Sequence, residues 1–256
     1  METKNFEIAT TERGKPDADI LFLCLAGLVE SKDHPHIKHH VETAARLGCL
    51  AVAPDPPGIW GSGENTENYT TTNYIQSVKE LIKYYNRKTI IMGHSLGGRV
   101  ATVVAIEDHA AETPQVIGVV PAMSGDTFAR EDNFYERVEE WQNNGSKSFS
   151  VDMPEDPRRT SELELPYSFS ADAQQYNARE GLDTLTIPKF YIAGRYDSVV
   201  SPSLVKETFE VAPEPKEYYE VNSGHHYRRH PKIVNQVSSL VANFIERTRN
   251  QSRTYQ

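Results

Sequence analysis

The chain has 256 residues, 38% of them hydrophobic and 25% charged, which is typical of folded globular proteins. A net charge of −9 without a basic patch argues against a nucleic-acid partner and disfavours docking on an anionic membrane. Cys24 and Cys49 lie in apolar runs, which predicts buried free thiols. No apolar run approaches the ~18–20 residues of a membrane span, and the opening residues lack the apolar core of a signal peptide. We therefore expect no membrane insertion and a cytoplasmic location.

The first half of the chain alternates apolar runs with helical patterns. Strands are predicted at 5–10, 20–25, 49–53 and 89–92, and helices at 33–47 and 71–85. Runs such as ILFLCL at 20–25 are apolar throughout, which is typical of strands buried on both faces of a parallel sheet.

The first predicted helix carries four histidines, at positions 34, 36, 39 and 40. His36 and His40 are four residues apart, so they can share one helix face and a metal ion. No third ligand is apparent in the sequence. We expect an ordinary solvated helix face and no metal site.

The second half of the chain resumes the same alternation after an insertion at about 125–183. Strands are predicted at 116–121, 188–193 and 217–221, and helices at 203–209 and 231–247, with a frayed polar tail after them. This pattern predicts the α/β class: a mostly parallel central sheet with helices on both faces. We expect a single domain over residues 1–256.

The insertion is rich in charge and shows no strand period, so it is expected to form short helices and loops that cover the site as a cap or lid. Its aromatic residues have two interpretations. Phe134 and Trp141 are candidates for a substrate pocket, or the aromatic residues form a small core of the insertion itself.

The segment 89–104 combines a strand pattern, the sequence Gly93-His94-Ser95-Leu96-Gly97 and a helical pattern. This is the G-x-S-x-G nucleophile elbow, in which the serine projects from a sharp turn above the sheet edge. The N–H of Leu96 would lie at a helix N-terminus, where an oxyanion is stabilised. The alternative is a glycine-rich turn with a capping serine.

Two later strands end in candidates for the acid and the base that a serine nucleophile needs. Asp197 follows one predicted strand and His225 follows the next. Histidine can remove the serine proton near neutral pH, and a carboxylate fixes the histidine tautomer. The rival bases are His226, His230 and His94, and the rival acids are Asp55 and Asp126. His94 is expected to point away from the nucleophile.

The chain resembles the α/β-hydrolase superfamily over nearly its whole length. GHSLGG at 93–98 resembles the elbow of esterases, lipases and thioesterases, and the triad order Ser, Asp, His is that of the superfamily. The segments PKFYIAGRYDSVVSP and NSGHHYRRHP resemble its acid and histidine loops, which implies these roles for Asp197 and His225. Relatives usually carry His-Gly where this chain has Ala26-Gly27; the resemblance places the second oxyanion N–H on Leu28.

These observations predict a serine hydrolase of a small-molecule carboxylic ester that works through an acyl-enzyme without a cofactor. The same triad is compatible with a thioesterase, an amidase, or a hydrolase or lyase of carbon–carbon bonds. A non-catalytic ligand-binding protein of the same fold is a further alternative. The sequence leaves open the acyl and alcohol groups of the substrate and the oligomeric state.

Overall fold

A computed structural model describes residues 1–127 and 134–254, with side chains throughout these ranges except at 134–137 and 253–254. The strands are β1 (Thr10–Arg13), β2 (Ile20–Leu25), β3 (Leu50–Pro54), β4 (Lys88–His94), β5 (Val116–Ala122), β6 (Ser146–Met153), β7 (Asp156–Pro166), β8 (Lys189–Gly194) and β9 (Lys216–Val221).

The α-helices alternate with these strands through most of the chain. They are α1 (Pro35–Arg46), α2 (Thr71–Tyr85), α3 (Leu96–His109), α4 (Phe134–Asn144), α5 (Tyr167–Ala173), α6 (Pro202–Val211) and α7 (Pro231–Thr254).

Seven strands of the described chain form a central sheet in the order β1-β3-β2-β4-β5-β8-β9. Strand β1 pairs antiparallel with β3, and the other pairings of this sheet are parallel. The prediction of a mostly parallel sheet is therefore confirmed. Because β2, β4, β8 and β9 run in the same direction, the loops that follow them meet at one edge of the sheet.

Strand β2 shows why its sequence is apolar at every position. Leu21, Leu23 and Leu25 pack into one core with residues of α2 and α3. Phe22 and Cys24 pack into a second core, on the other face of the sheet, with residues of α1 and α7. Helices cover both faces, so alternate side chains of the strand are all withdrawn from water.

The insertion contains more than the short helices and loops that the sequence predicts. Strands β6 and β7 pair antiparallel and form a second sheet, a two-stranded hairpin, within the described part of the chain. Helix α4 precedes the hairpin and α5 follows it. The expectation that the insertion has no strand period was wrong, because Phe149 and Val151 alternate with serines in β6, and Leu163 and Leu165 alternate with glutamates in β7.

The ends of the chain also differ from the sequence-based expectation. The first strand is β1, which begins at Thr10, rather than residues 5–10. Helix α7 continues to Thr254, so most of the tail expected to fray is helical. Cys24 and Cys49 are buried and free, as predicted. No helix in the described ranges combines the length and the apolar character that crossing a membrane requires.

Candidate active site

Ser95 occupies the turn between β4 and α3, with a backbone φ of 52° and ψ of −119°. A positive φ is uncommon for a residue with a side chain, and such strain is frequent at functional sites. The flanking glycines permit the close approach of strand and helix. A Cβ at Gly93 would lie 2.1 Å from the carbonyl of Gly97, and one at Gly97 would lie 2.5 Å from the carbonyl oxygen of Ala26.

The structure brings Ser95, His225 and Asp197 into one line of hydrogen bonds. The distance from Ser95 Oγ to His225 Nε2 is 3.0 Å, and that from His225 Nδ1 to Asp197 Oδ2 is 2.8 Å. The other oxygen of Asp197 accepts the backbone N–H groups of Val199 and Val200, each at 2.9 Å. These bonds fix the carboxylate, which in turn orients the imidazole ring.

Two of the rival bases, His226 and His94, have other partners, and the third, His230, is exposed. His226 Nδ1 accepts a hydrogen bond from Arg228 Nη1 at 2.8 Å. His94 lies beside the nucleophile in sequence, but its Nδ1 is 2.9 Å from Glu30 Oε2 and its Nε2 is 3.0 Å from the carbonyl oxygen of His225. The side chain of His94 therefore points away from Ser95 Oγ, as the sequence analysis expected.

The rival acids are engaged elsewhere as well. Asp55 accepts hydrogen bonds from Ser31 Oγ and from the N–H of Gly61. Asp126 forms an ion pair with Arg179 at 2.7 Å. Neither carboxylate is hydrogen-bonded to His225, whose Nδ1 is held by Asp197.

The two residues expected to supply an oxyanion site, Leu28 and Leu96, both line the cavity that contains Ser95. Leu96 is the first residue of α3, where an N–H group has no acceptor within the helix. The N–H of Leu28 donates to no group in the described part of the chain. Both donors are thus available to a ligand.

The loop that carries Leu28 is held by polar contacts. The N–H of Gly27 donates to Glu30 Oε2 at 2.8 Å, and the N–H of Val29 donates to Tyr69 Oη at 3.1 Å. Trp60 Nε1 donates to the carbonyl of Val29 at 3.1 Å. Val29 itself has a φ of 54°, a strained conformation for a β-branched residue.

Glu30 lies at the centre of a buried polar network that the sequence analysis did not identify. Its Oε1 accepts from Arg228 Nη1 at 2.8 Å, and its Oε2 accepts from His94. Arg228 also pairs with both carboxylate oxygens of Asp152, in β6. The network connects the elbow, the loop after β2, the histidine loop and the insertion. Burial raises the pKa of Glu30, but attraction to His94 and His36 outweighs it and holds the pKa well below its usual range.

His36 and His40 of α1 belong to this interior, together with His34 just before the helix, so the expectation of a solvated helix face was wrong for them. His39 is partly exposed. His34, His36 and His40 are buried. His40 Nδ1 lies 2.7 Å from Ser238 Oγ, and its Nε2 lies 2.8 Å from Tyr227 Oη. Burial lowers the pKa of His36 to about 4, although Glu30 opposes this shift.

The described residues hold one group with the geometry to bind a metal ion, and it is not the pair His36 and His40. One atom each of Glu30, His36 and His94 lie within 4.8 Å of one another. Glu30 and His94 already bond to each other and to the backbone in this group. Arg228 adds a positive charge beside it, which opposes a cation.

A cavity of about 270 Å³ opens above Ser95. Its wall is mostly apolar and comes from the insertion and the loop after β2. The apolar side chains include those of Leu28, Val138, Trp141, Phe149, Val151 and Phe169. Such a cavity can hold a small organic group next to the nucleophile.

The structure describes the side chain of only one of the two residues, Phe134 and Trp141, that the sequence named as candidates for the substrate pocket. The side chain of Phe134 lies outside the described residues. Trp141 lines the cavity, yet it is only 2% exposed. Its Nε1 donates to the carbonyl of Leu165 at 3.0 Å, and its ring stacks on Phe169. Trp141 is therefore part of the core of the insertion as well as a wall of the cavity.

These features define an α/β protein with a Ser-His-Asp site at the carboxyl edge of its sheet. The model of the α/β hydrolase family matches residues 27–237. The chain belongs to that family. No curated protein matches the sequence.

Several solved structures share the fold at low sequence identity. Est1E from Butyrivibrio proteoclasticus, solved with ferulic acid bound, is 15% identical with a TM-score of 0.74, and the alignment covers 96% of this chain and 97% of that one. The Paleococcus ferrophilus monoacylglycerol lipase is 17% identical with a TM-score of 0.75, over 94% and 99% of the two chains. A thioesterase domain from the curacin biosynthetic pathway is 13% identical with a TM-score of 0.67, over 94% and 97%.

Proposed function

We propose that this protein is a serine hydrolase that cleaves the carboxylic ester of a small molecule through an acyl-enzyme. The observation that carries the proposal is the line of two hydrogen bonds from Ser95 through His225 to Asp197. Membership of the α/β hydrolase family supports hydrolysis in general. The ester bond is the finer part of the proposal, and similarity to an esterase and a lipase supports it.

In the proposed reaction, Ser95 Oγ attacks the ester carbonyl while His225 Nε2 takes the serine proton. The N–H groups of Leu28 and Leu96 stabilise the negative charge on the carbonyl oxygen. His225 then returns the proton to the departing alcohol, which leaves Ser95 acylated. Water, deprotonated by His225, attacks the acyl carbonyl and releases the acid, and the proton goes back to Ser95. No cofactor takes part in these steps.

The size of the cavity favours a small substrate. A volume of about 270 Å³ lies near the lower end of the range for ligand pockets, roughly 300–1,000 Å³. We propose that the insertion at about 125–183 is the cap of a single domain and that its apolar wall contacts the acyl or alcohol group. Phe134 and Trp141 keep their assignment to the substrate pocket within this proposal.

The direct test is Ser95→Ala, assayed with p-nitrophenyl esters of increasing acyl length and a fluorophosphonate probe. We expect kcat to fall by about 10⁴- to 10⁶-fold, while the far-UV circular dichroism and melting temperature stay close to the wild type. The probe should label the wild type alone. Ser62→Ala is the matched control, because Ser62 also lies between glycines but bonds to the backbone of Asp55 and Ala9. A Ser95→Ala variant with a tenth of wild-type activity would refute the assignment.

A thioesterase is the second candidate, favoured by the similarity to a thioesterase domain. The same three residues serve both reactions, so the two are separated by substrate. Oxygen esters and thioesters with the same acyl group should be compared by kcat/KM. Absence of turnover and of probe labelling in the wild type would favour the non-catalytic binding alternative.

We also propose a cytoplasmic location, which is supported by the two buried free cysteines. Fractionation of cells that produce the tagged chain, with antibodies for each compartment, tests this proposal. Recovery in a secreted or membrane fraction would refute it.

A further inference from the structure

We propose that the substrate carries an anionic group, a carboxylate or a phosphate, and that Lys147 is the residue that pairs with it. This inference rests on the proposed hydrolase function, because it describes the substrate of the same cavity. It adds a charged recognition site to the triad and the apolar wall.

Lys147 lies on the face of β6 that lines the cavity. Side chains in a strand alternate between its faces, and Lys147, Phe149 and Val151 all contribute to the cavity wall. The partner of Lys147 across the hairpin is Leu165, and the partner of Phe149 is Leu163. The face that turns to the cavity is thus apolar except for this lysine.

The nearby carboxylates of the hairpin do not compensate the charge of Lys147. Glu164 accepts a hydrogen bond from Ser146 and Glu162 accepts one from Ser148, on the opposite face of the hairpin. The side chain of Lys147 has no ion pair or hydrogen bond within residues 1–127 and 134–254. The residue is half-buried on this wall, and an unpaired ammonium group beside an apolar wall gains a favourable partner when an anion binds there.

The other cations of the cavity wall all have partners. Arg99 is buried, and its Nε donates to the carbonyl oxygen of Gly125. Arg228 is paired with Asp152 and Glu30. Arg229 lies 3.4 Å from Asp152, so it shares this carboxylate with Arg228. Lys147 is therefore the cation best able to accept a new partner.

The charge of the cavity wall is opposite to that of the molecule. The chain has a net charge of −9. Among the described residues that line the cavity, the charged groups are one carboxylate, that of Glu30, and four cations, those of Arg99, Lys147, Arg228 and Arg229. Because Arg228 and Arg229 are paired with Glu30 and Asp152, the excess of positive charge is smaller than this count. A cleft with more cations than carboxylates still attracts ligands of negative charge. The wall therefore favours an anionic substrate.

The apolar residues between the site and Lys147 indicate the form of such a substrate. Phe149 and Trp141 lie in the same wall and contact each other edge to face. A short apolar linker between the scissile ester and the anionic group would pack against them. The anionic group belongs either to the acyl part or to the alcohol part.

Two matched pairs of esters separate these possibilities. On the acyl side, the p-nitrophenyl ester of glutaric acid with its second carboxylate free is compared with its methyl-capped form. On the alcohol side, the acetyl ester of 4-hydroxybutyrate is compared with that of 4-hydroxybutyramide. We expect the wild type to show the higher kcat/KM for the anionic member of at least one pair, and we expect added salt to reduce this preference.

In Lys147→Gln, the ratio of kcat/KM for the anionic ester to kcat/KM for its neutral partner should fall by about 10- to 100-fold. This factor corresponds to the free energy of one hydrogen bond to a charged group. Lys147→Arg should retain most of the preference. Lys83→Gln is the control, because Lys83 is an exposed lysine of α2, outside the cavity. An unchanged ratio in Lys147→Gln, or a wild-type preference for the neutral member of both pairs, would overturn the inference.

A binding measurement keeps this test separate from the proposed function. If the wild type cleaves none of these esters, the hydrolase proposal fails on its own. Calorimetric titration with glutarate and with neutral glutaramide then tests the anion site directly. Binding of glutarate that is lost in Lys147→Gln supports the site. Equal binding to both proteins, or no binding to the wild type, refutes it.

Discussion

The adjacent residues His225 and His226 show that one position in the backbone decides the role of a side chain. His225 lies between Ser95 and Asp197, whereas His226 is hydrogen-bonded to Arg228. The rings have their centroids 5.3 Å apart and are nearly perpendicular. The sequence analysis selected His225 because it directly follows a glycine in the histidine loop, and the distances place this residue, and not its neighbour, in contact with Ser95.

We predict that His225→Ala reduces kcat by about 10⁴-fold or more, whereas His226→Ala reduces it less than about tenfold. The reason is that His225 alone contacts Ser95 Oγ. Steady-state kinetics on an activated ester checks both variants, with circular dichroism to verify folding. If His226→Ala were the more damaging variant, the base would have to be reassigned.

Trp141 lies where the cavity meets the core of the insertion. It lines the cavity, but its indole N–H and its ring are both used inside the insertion. We predict that Trp141→Ala lowers the free energy of unfolding by about 3–5 kcal/mol, as for other large buried aromatic residues. Trp141→Phe should lower the free energy of unfolding by a smaller amount. This variant keeps the stacking on Phe169 and loses mainly one hydrogen bond of about 1 kcal/mol.

Urea denaturation of the two Trp141 variants measures these losses. A Trp141→Ala variant with wild-type stability and altered preference for acyl length would show that the residue acts in the pocket and not in the core. Selectivity is measured on the same samples, as kcat/KM for short and medium acyl chains.

At the scale of elements, the hairpin β6–β7 is the feature that the sequence analysis missed. The signal was present, since Ser148, Ser150, Glu162 and Glu164 alternate with apolar residues. The high charge of the region concealed it, because the outer face of the hairpin is exposed and carries the glutamates. In contrast, the inner strands of the central sheet, which are β2, β3, β4, β5 and β8, were predicted within a few residues, because burial on both faces makes them largely apolar.

The ion pair between Asp152 and Arg228 attaches this hairpin to the histidine loop. We predict that Arg228→Met destabilises the protein by about 3–5 kcal/mol, since it leaves Asp152 and Glu30 buried without their cation. The double variant Arg228→Met with Asp152→Leu should recover part of this loss, because one of the unpaired carboxylates is removed. Hydrogen exchange across residues 146–166 should accelerate in the single variant.

Arg158→Met provides the matched control for the ion pair. Arg158 pairs with Asp156 in the same hairpin, but this pair is exposed to solvent. We expect it to change neither stability nor exchange. Equal effects of the two arginine variants would show that the Asp152–Arg228 pair has no special part in attaching the hairpin.

At the scale of the whole molecule, the sheet and the triad were predictable, whereas the polar interior was not. Each triad residue follows a strand, so its position at the sheet edge is set by local sequence. The network of Glu30, His94, Asp152 and Arg228 joins residues up to 198 positions apart. Neither the spacing nor the periodicity of residues in the sequence indicates contacts between residues so far apart. The same limit explains why the histidines of α1 were assigned to a solvated face. The local sequence of α1 does not show that this helix packs against α7 and the histidine loop.

The buried histidines make the stability of the whole molecule depend on pH. Burial lowers the pKa of His36 to about 4, and it lowers the pKa of His40 well below its usual value, with repulsion from neighbouring histidines. In the unfolded chain both histidines take up a proton below about pH 6.5. Between about pH 6.5 and 4 the unfolded state therefore binds more protons than the folded state, so stability must fall as the pH falls.

We predict that the free energy of unfolding decreases by about 3 kcal/mol over this interval from His36 alone, since its pKa moves from 6.5 to about 4. His36→Phe should reduce the slope of the pH dependence between these limits without abolishing it, because one titrating group is removed and His40 remains. The lowered pKa of Glu30 adds a further loss of stability that begins near its ordinary value of 4.5, at the acid end of this interval, and continues below it. Urea denaturation at half-unit steps from pH 4 to 8 measures the slope. His230→Gln, at an exposed histidine, is the control and should retain the wild-type slope. A slope in His36→Phe equal to that of the wild type would show that His36 is not held neutral by the fold.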